Sequence, residues 1–309
     1  MSTTRTSDRY EPLLGTVVEI DLELDLAGRE PEADALSTAI VDEMVRLQSI
    51  LSSVDPDSEF SRWCRGEHSD TSPELLTVLA LAADWQRRSR GRFTPAAGRL
   101  TRLWRAAELD GCESDPAELA TVVADIGEPR WSVVDGVAVR LVDTTDCTLN
   151  ALAKGWIADR ALTIAMAAEG VVSATINAGG DLVTGGRSER RIGIEDPATP
   201  WDNAPPLTTI VLRDAGLATS GGARRGFHID GVLHSHVLDP RTGRPVDGMA
   251  SISVVAPTAA EADVLATVLG VERAADAITE ATALGLACLV VTAEGQVLAT
   301  EGWRRLEIS

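Results

Sequence analysis

The sequence predicts an α+β fold, and three observations carry that prediction. Helix-period and strand-period segments succeed one another without strict alternation, hairpin signals are frequent, and glycine, aspartate and asparagine punctuate the chain at short intervals. At 309 residues the chain exceeds the size at which one core usually stops growing, so a single unit over 1–309 and two lobes meeting near 145 both fit, and we read one unit.

In chain order, residues 11–26 alternate apolar and polar side chains as a half-buried strand does, and 31–53 place Ile40, Met44, Leu47 and Leu51 at helical spacing. Residues 53–65 read as a turn-rich connection. A helix over 73–89 opens with Ser72-Pro73, a good cap and first-turn pair, and Gly91-Arg-Phe-Thr-Pro95 breaks the chain before a helical piece at 98–108 carrying Trp104. A helical patch follows at 116–124, then a hairpin over 131–142 turning at Asp135-Gly136. An alanine-rich helix spans 149–169 with Gly170 as its terminating glycine. Strands are expected at 171–176, 191–195, 208–213, 232–238 and 251–255, and a last hairpin at 286–299. The strand at 232–238 carries His234 and His236 two residues apart, hence on one face.

Composition excludes several classes. A formal charge of −19 opposes a nucleic-acid partner, and no apolar run approaches the roughly 20 residues of a membrane span. The polar stretch 1–10 lacks the apolar centre of a signal peptide, so a cytoplasmic location is expected. Cys64, Cys112, Cys147 and Cys288 are scattered, which suits reduced thiols. Of 28 basic residues only Lys154 is a lysine, a candidate for a place that needs a compact ammonium.

The densest chemical signal lies in 258–267. Thr258 and Glu261 have capping-box spacing, so a helix begins there, and Asp263 and Thr267 fall one turn apart on one face. An oxygen pair of that kind suits Mg²⁺; the plain alternative leaves Asp263 solvated on a helix surface. Three glycine-rich stretches, Asn177–Asp181, Ser220–Gly222 and Asp239–Gly243, have the composition of anion-binding turns, although each alone reads as a hairpin turn. With Lys154 and Arg241 they are candidates for one anionic-ligand site. His228, His234 and His236 lie within nine residues and raise a transition-metal site, which lacks a carboxylate or cysteine at ligand spacing.

Taken together, Ala151-Leu-Ala-Lys-Gly155 with Asp159, Asn177-Ala-Gly-Gly-Asp181, Ala218-Thr-Ser-Gly-Gly222, the segment His236–Pro245 and Ala262-Asp-Val-Leu-Ala-Thr267 resemble, in order, the ApbE-like flavin transferases. Leu14-Gly-Thr16, the segment 53–62 and Gly91–Pro95 extend the resemblance over nearly the whole chain. It implies a T-fold-like α+β arrangement with mixed or antiparallel sheets and packed helices. It also implies FAD as substrate, Mg²⁺ at its pyrophosphate, and transfer of the FMN half to a threonine or serine hydroxyl of an acceptor protein with release of AMP. The metal ligands implied are Asp263, Thr267 and the Ala151 carbonyl. Lys154, Asn177, Gly179, Gly180, Asp181, Thr219, Ser220 and Gly221 would line the FAD pocket. His236 and Asp239 would lie near the phosphates, and Lys154 or Arg241 would meet phosphate charge. The base falls among His236, Asp239 and Asp181, with His236 first. The chain departs from the family pattern at Val54, at Trp63-Cys64, at Thr94 between Phe93 and Pro95, and at Thr148-Leu149. The rival readings are an FAD pyrophosphatase, a non-catalytic flavin-binding protein, and a zinc hydrolase built on the histidines.

Overall fold

The computed structural model describes residues 3–25, 30–199, 201, 204–221 and 226–308, so Gly222 of the second glycine-rich stretch lies outside the described residues. Strands β1 (Thr4–Leu13) and β2 (Thr16–Leu24) form a hairpin. Five helices follow: α1 (Glu30–Leu51), α2 (Glu59–Cys64), α3 (Pro73–Arg88), α4 (Gly98–Asp110) and α5 (Pro116–Gly127). The hairpin β3 (Trp131–Val134) and β4 (Val137–Arg140) leads to α6 (Asn150–Ala167), then β5 (Val171–Ala178), β6 (Asp181–Gly186), β7 (Arg190–Ile194), β8 (Thr208–Leu212) and β9 (Ala215–Gly221). Next come β10 (Gly226–Ile229), β11 (Val232–Ser235), the short pair β12 (Leu238–Asp239) and β13 (Arg244–Pro245), β14 (Met249–Ala256), α7 (Ala259–Gly270) and α8 (Ala274–Ala283). The described chain closes with β15 (Ala287–Thr292), β16 (Val297–Ala299), α9 (Glu301–Arg304) and β17 (Glu307–Ile308).

The fold is α+β, as the pattern predicts. Its frame is an eight-stranded sheet in the order β1-β2-β5-β6-β9-β14-β15-β16, antiparallel at every join. Period-two alternation gives this sheet two buried faces. On one face Ile20, Ile176, Val183, Ala218, Ile252, Val254 and Val290 meet the helices in the main core. On the other, Leu182, Leu217 and Leu289 meet a three-stranded sheet, β17-β8-β7, through Ile194, Ile210, Leu212 and Trp303. The main core draws residues from both sides of position 145.

Helix α7 lies in that core and is apolar nearly all round, with Ala259, Ala262, Val264, Leu265, Ala266, Val268 and Leu269 buried. Its N-terminus is held by two groups. Thr258 Oγ1 accepts the Glu261 N–H at 3.1 Å, as predicted, and the Asp159 carboxylate of α6 accepts the Ala259 and Ala260 N–H groups at 2.8 and 3.0 Å. Gly155 permits the approach: a Cβ there would sit 2.6 Å from the Ala259 carbonyl.

Several expectations are corrected. Residues 53–65 contain α2, too short to show a period; Ser58 caps it, and Phe60 and Trp63 pack edge-on against Trp131. Residues 11–26 belong to two strands, because Leu14 and Gly15 turn the chain with φ of 54° and 71°. Helix α6 ends at Ala167 with an extended Ala168, and Gly170 (φ 82°) turns the chain into β5 beyond the cap. Ser220 and Gly221 are strand residues paired with Ile252 and Ser251 of β14, not a turn. The strand at 232–238 breaks after Ser235, whose hydroxyl accepts the Val237 N–H at 3.1 Å, so His234 and His236 do not share a strand face.

Among the described residues no helix is long and apolar enough to cross a membrane. Cys64, Cys147 and Cys288 are buried thiols whose pKa values burial raises, to about 12 for Cys64 and Cys288, whereas Cys112 is exposed. Ellman's reagent at pH 8 should therefore titrate Cys112 alone in the native protein and all four thiols in urea. Gly155→Ala should lower stability by about 1–3 kcal/mol, read as the urea midpoint, because the obstacle is backbone. Gly127→Ala, with nothing within 4 Å of the added carbon, should leave the midpoint close to wild type.

Candidate functional site

The site grows from the pairing of α6 with α7. Gly155 of α6 meets Ala259 at the start of α7, and Asp159 of α6 caps the same end of α7. One turn back along α6 from Gly155 comes Ala151; one and two turns forward along α7 from Ala259 come Asp263 and Thr267. Of the three residues proposed as metal ligands, Ala151 thus lies on α6 and Asp263 and Thr267 lie on α7. Ala151 has φ −86° and ψ 18°, a break inside the first turn of α6 that rotates its carbonyl out of the helical direction.

Asp263 is not a solvated surface acid. Its Oδ2 is buried and has no hydrogen-bond partner. Burial pushes its carboxyl well above the ordinary range; the charge of nearby Asp181 adds to the rise and Lys154 opposes it. Asp181, at the start of β6, is itself buried and raised by desolvation, against the pull of Lys154, whose Nζ stands 2.5 Å from its Oδ2. Two interacting carboxylates thus lie beside one ammonium, that of Lys154. The residues fit a hard cation: an orphaned carboxylate oxygen, a neighbouring hydroxyl and a carbonyl off the helical ladder are the oxygen donors such an ion takes.

Two clefts meet nearby at Gly179. The first, of about 470 Å³, is lined by Asn177, Gly179, Gly180, Thr219, Gly221 and His236 together with Ile192–Glu195, Leu217 and Ser251. The second, of about 740 Å³, is lined by Leu14–Thr16, Ser52–Asp55, Asn150, Lys154 and Gly179. Gly179 (φ 69°) is required by close approach as well as by backbone angle, since a Cβ would meet Thr16 Oγ1 at 2.2 Å. Asn177 orders this turn: its Oδ1 accepts the Gly180 N–H at 3.0 Å, and its amide donates to Glu19 at 3.2 Å. Thr219 is bonded to Ser253 across β9 and β14 at 2.8 Å, and Ser220 lines a small separate cavity of about 10 Å³.

The turn at 239–243 is occupied differently from expectation. Asp239 is buried, and the Arg241 guanidinium donates to both its oxygens at 2.9–3.2 Å and to Glu272 at 2.8 Å. Arg92 extends the network from Glu272 at 3.4 Å to Glu280. Arg241 and Asp239 are therefore engaged with protein groups and line neither cleft, unlike His236. The three clustered histidines also separate: His228 is exposed beside Glu108, His234 packs on Trp104, and His236 faces the first cleft. Among the described residues no group of three or more His, Cys, Asp or Glu could hold a metal, so the zinc reading has no support in the histidines.

Residue patterning had singled out neither Glu19, which fixes Asn177, nor the Ser53–Thr148–Asn150 hydroxyl–amide cluster at the second cleft, joined at 3.0 Å. Ile192, Glu195 and Ser251 likewise carried no signal, because they come from separate strands without local spacing.

The architecture is that of a known class of α+β proteins. Over 99% of this chain and 100% of the other, the structure superposes on a crystal structure of an ApbE protein from Thermotoga maritima with a TM-score of 0.83 and 25% identity. A flavin transferase ApbE from Vibrio cholerae, at 23% identity and a TM-score of 0.78, shares the fold. The ApbE family profile matches residues 14–290, and the chain belongs to the ApbE family. Relatives named FAD:protein FMN transferase include one from Treponema pallidum, 29% identical over 74% of this chain and 68% of that protein. Another, from Rhodobacter capsulatus, is 32% identical over 78% of this chain but only 47% of its own length. A third, from Klebsiella pneumoniae, is 29% identical over 86% and 79%.

Because Asp263 and Asp181 titrate higher folded than unfolded, their contribution to stability is full below the unfolded pKa and is lost as pH rises through the folded values. In EDTA the melting temperature should fall as pH rises out of the ordinary carboxylate range, and Asp263→Asn should flatten that fall and raise the neutral-pH value. Added Mg²⁺ should raise the wild-type melting temperature at neutral pH and leave the Asp263→Asn protein unmoved.

Proposed function

We propose that this ApbE-family chain is an FAD:protein FMN transferase, moving the FMN half of FAD onto a threonine or serine hydroxyl of an acceptor protein and releasing AMP. The observation that carries the reading is the buried Asp263 oxygen without a partner, beside the Lys154–Asp181 pair at the seam of two clefts. A dinucleotide joined by a pyrophosphate suits two clefts that share Gly179, with Lys154 on the wall of one of them. The names of the relatives point to the same reaction.

In this reading FAD lies across both clefts with its pyrophosphate near Gly179 and Lys154. Asp263, Thr267 and the Ala151 carbonyl would hold Mg²⁺, which when bound would neutralise pyrophosphate charge and polarise its phosphorus–oxygen bonds. The acceptor hydroxyl oxygen attacks the phosphorus on the FMN side. The bond from that phosphorus to the bridging oxygen breaks, and the bridging oxygen departs on AMP. His236, the first-cleft imidazole, takes the hydroxyl proton. Lys154 stabilises charge on the phosphate oxygens, and Asp181 fixes the ammonium in place.

The test mixes purified protein, FAD, Mg²⁺ and a candidate acceptor domain and follows covalent flavin fluorescence in denaturing gels, with AMP by chromatography. Adduct and AMP should appear in equal amounts. Asp263→Ala should lower the rate at least about a hundredfold, and His236→Ala by roughly 10²–10⁴. AMP formed without acceptor identifies a pyrophosphatase, and bound FAD with no adduct on any acceptor refutes the transferase.

A further inference from the structure

Residues 236–237, between the end of β11 at Ser235 and the start of β12 at Leu238, belong to no strand. His236 must nevertheless face the first cleft in one orientation to serve as a base. Helix α4 holds the chain on both sides of it in sequence. The Trp104 side chain is buried, and its indole Nε1–H donates to the Gly243 carbonyl at 2.7 Å. The same indole packs on the His234 imidazole at 5.5 Å between centroids and on Phe227 of β10 at 6.0 Å. One side chain thus grips the chain two residues before His236 and seven residues after it.

The rest of α4 reinforces the grip. Arg105 lies over the Phe227 ring at 4.9 Å and donates to the Gly226 carbonyl at 3.4 Å, and Glu108 accepts the His228 N–H at 2.7 Å. The far side of the turn is held as firmly. A Cβ at Gly243 (φ 72°) would meet Leu119 at 2.5 Å on α5, and Arg241 is tied to Asp239 and Glu272. The side chains of Asp239 and Arg241 thus bond to one another, and Arg241 also to Glu272.

We infer that Trp104 is a positioning residue for His236, and that the turn 239–243 serves as its frame and not as a phosphate cradle. The inference rests on the proposed transferase reading, in which His236 is the base. The indole N–H and the ring have separable parts: the N–H fixes Gly243, and the ring fixes His234.

The experiment compares Trp104→Phe, which keeps a ring and loses the N–H, with Trp303→Phe. Trp303 is buried in the second core, lines neither cleft and donates its Nε1–H to Glu307 at 3.2 Å, so the control loses an equivalent bond on an element that does not hold the chain around His236. Both variants should bind FAD, by flavin fluorescence quenching, within about twofold of wild type. For FMN transfer, Trp104→Phe should lower kcat about tenfold with KM for FAD unchanged, and shift the His236 imidazole resonance in an NMR spectrum of histidine-labelled protein. Trp303→Phe should lower the melting temperature and change neither. Should Trp104→Phe lose stability with kcat and the His236 resonance both intact, Trp104 is packing alone and the inference is overturned. If wild type binds FAD but transfers no flavin, the transferase reading fails, and the resonance still decides whether Trp104 orders His236.

Discussion

Everything at the site depends on how closely α6 approaches the start of α7. A helix N-terminus buried in a core carries unsatisfied N–H groups, and here Asp159 accepts two of them from the neighbouring helix. That bond requires backbone contact, which the absence of a side chain at Gly155 permits; Gly216 of β9 makes a similar allowance, since a Cβ there would lie 2.3 Å from the Ala259 nitrogen. With α7 seized at its first turn by a helix on one side and a strand on the other, the direction of its axis is fixed. The consequence is felt one and two turns later, where the helix places Asp263, with its buried Oδ2, and Thr267.

A carboxylate so held is costly to keep in a protein. Burial disfavours its charge, and Asp181 nearby compounds the cost, while Lys154 offsets part of it. Such strain in a core of alanine, valine and leucine has no structural benefit that α7 needs, because its cap and its packing are complete without Asp263. The arrangement makes physical sense as a place prepared for positive charge, and a perturbed acid beside a cleft is a common mark of a functional site.

The cleft side of the molecule divides its labour between groups that face ligand space and groups that face the protein. Lys154, Gly179, Gly180 and His236 line the clefts. Glu19, Trp104, Asp239 and Arg241 bond to protein groups instead: Glu19 to Asn177, Trp104 to Gly243, and Arg241 to Asp239 and Glu272. Arg241 illustrates the difference: in sequence it stands in a glycine-rich turn with the look of an anion site, yet Asp239 two residues earlier already occupies its guanidinium. A planar fork beside a carboxylate pairs bidentately, as Arg241 does with Asp239.

The amino-acid sequence by itself determined the α+β class, most helices and hairpins, the cap at Thr258 and the i, i+4 pairing of Asp263 with Thr267, because each is set by neighbours within a few residues. Ordered motifs likewise marked Lys154, Asn177–Asp181 and His236 as site residues. Tertiary structure alone decided that α7 is central and its acid buried, since burial depends on what packs from other parts of the chain. It also decided that the two clefts meet at Gly179, that Ser220 lies in a strand, and that Trp104 reaches across 139 residues to Gly243. Helix α2 escaped the pattern because six residues are too few to show a period, and its place rests on Trp131, far along the chain. Periodicity records which face of an element is apolar; which other element covers that face is written only in three dimensions.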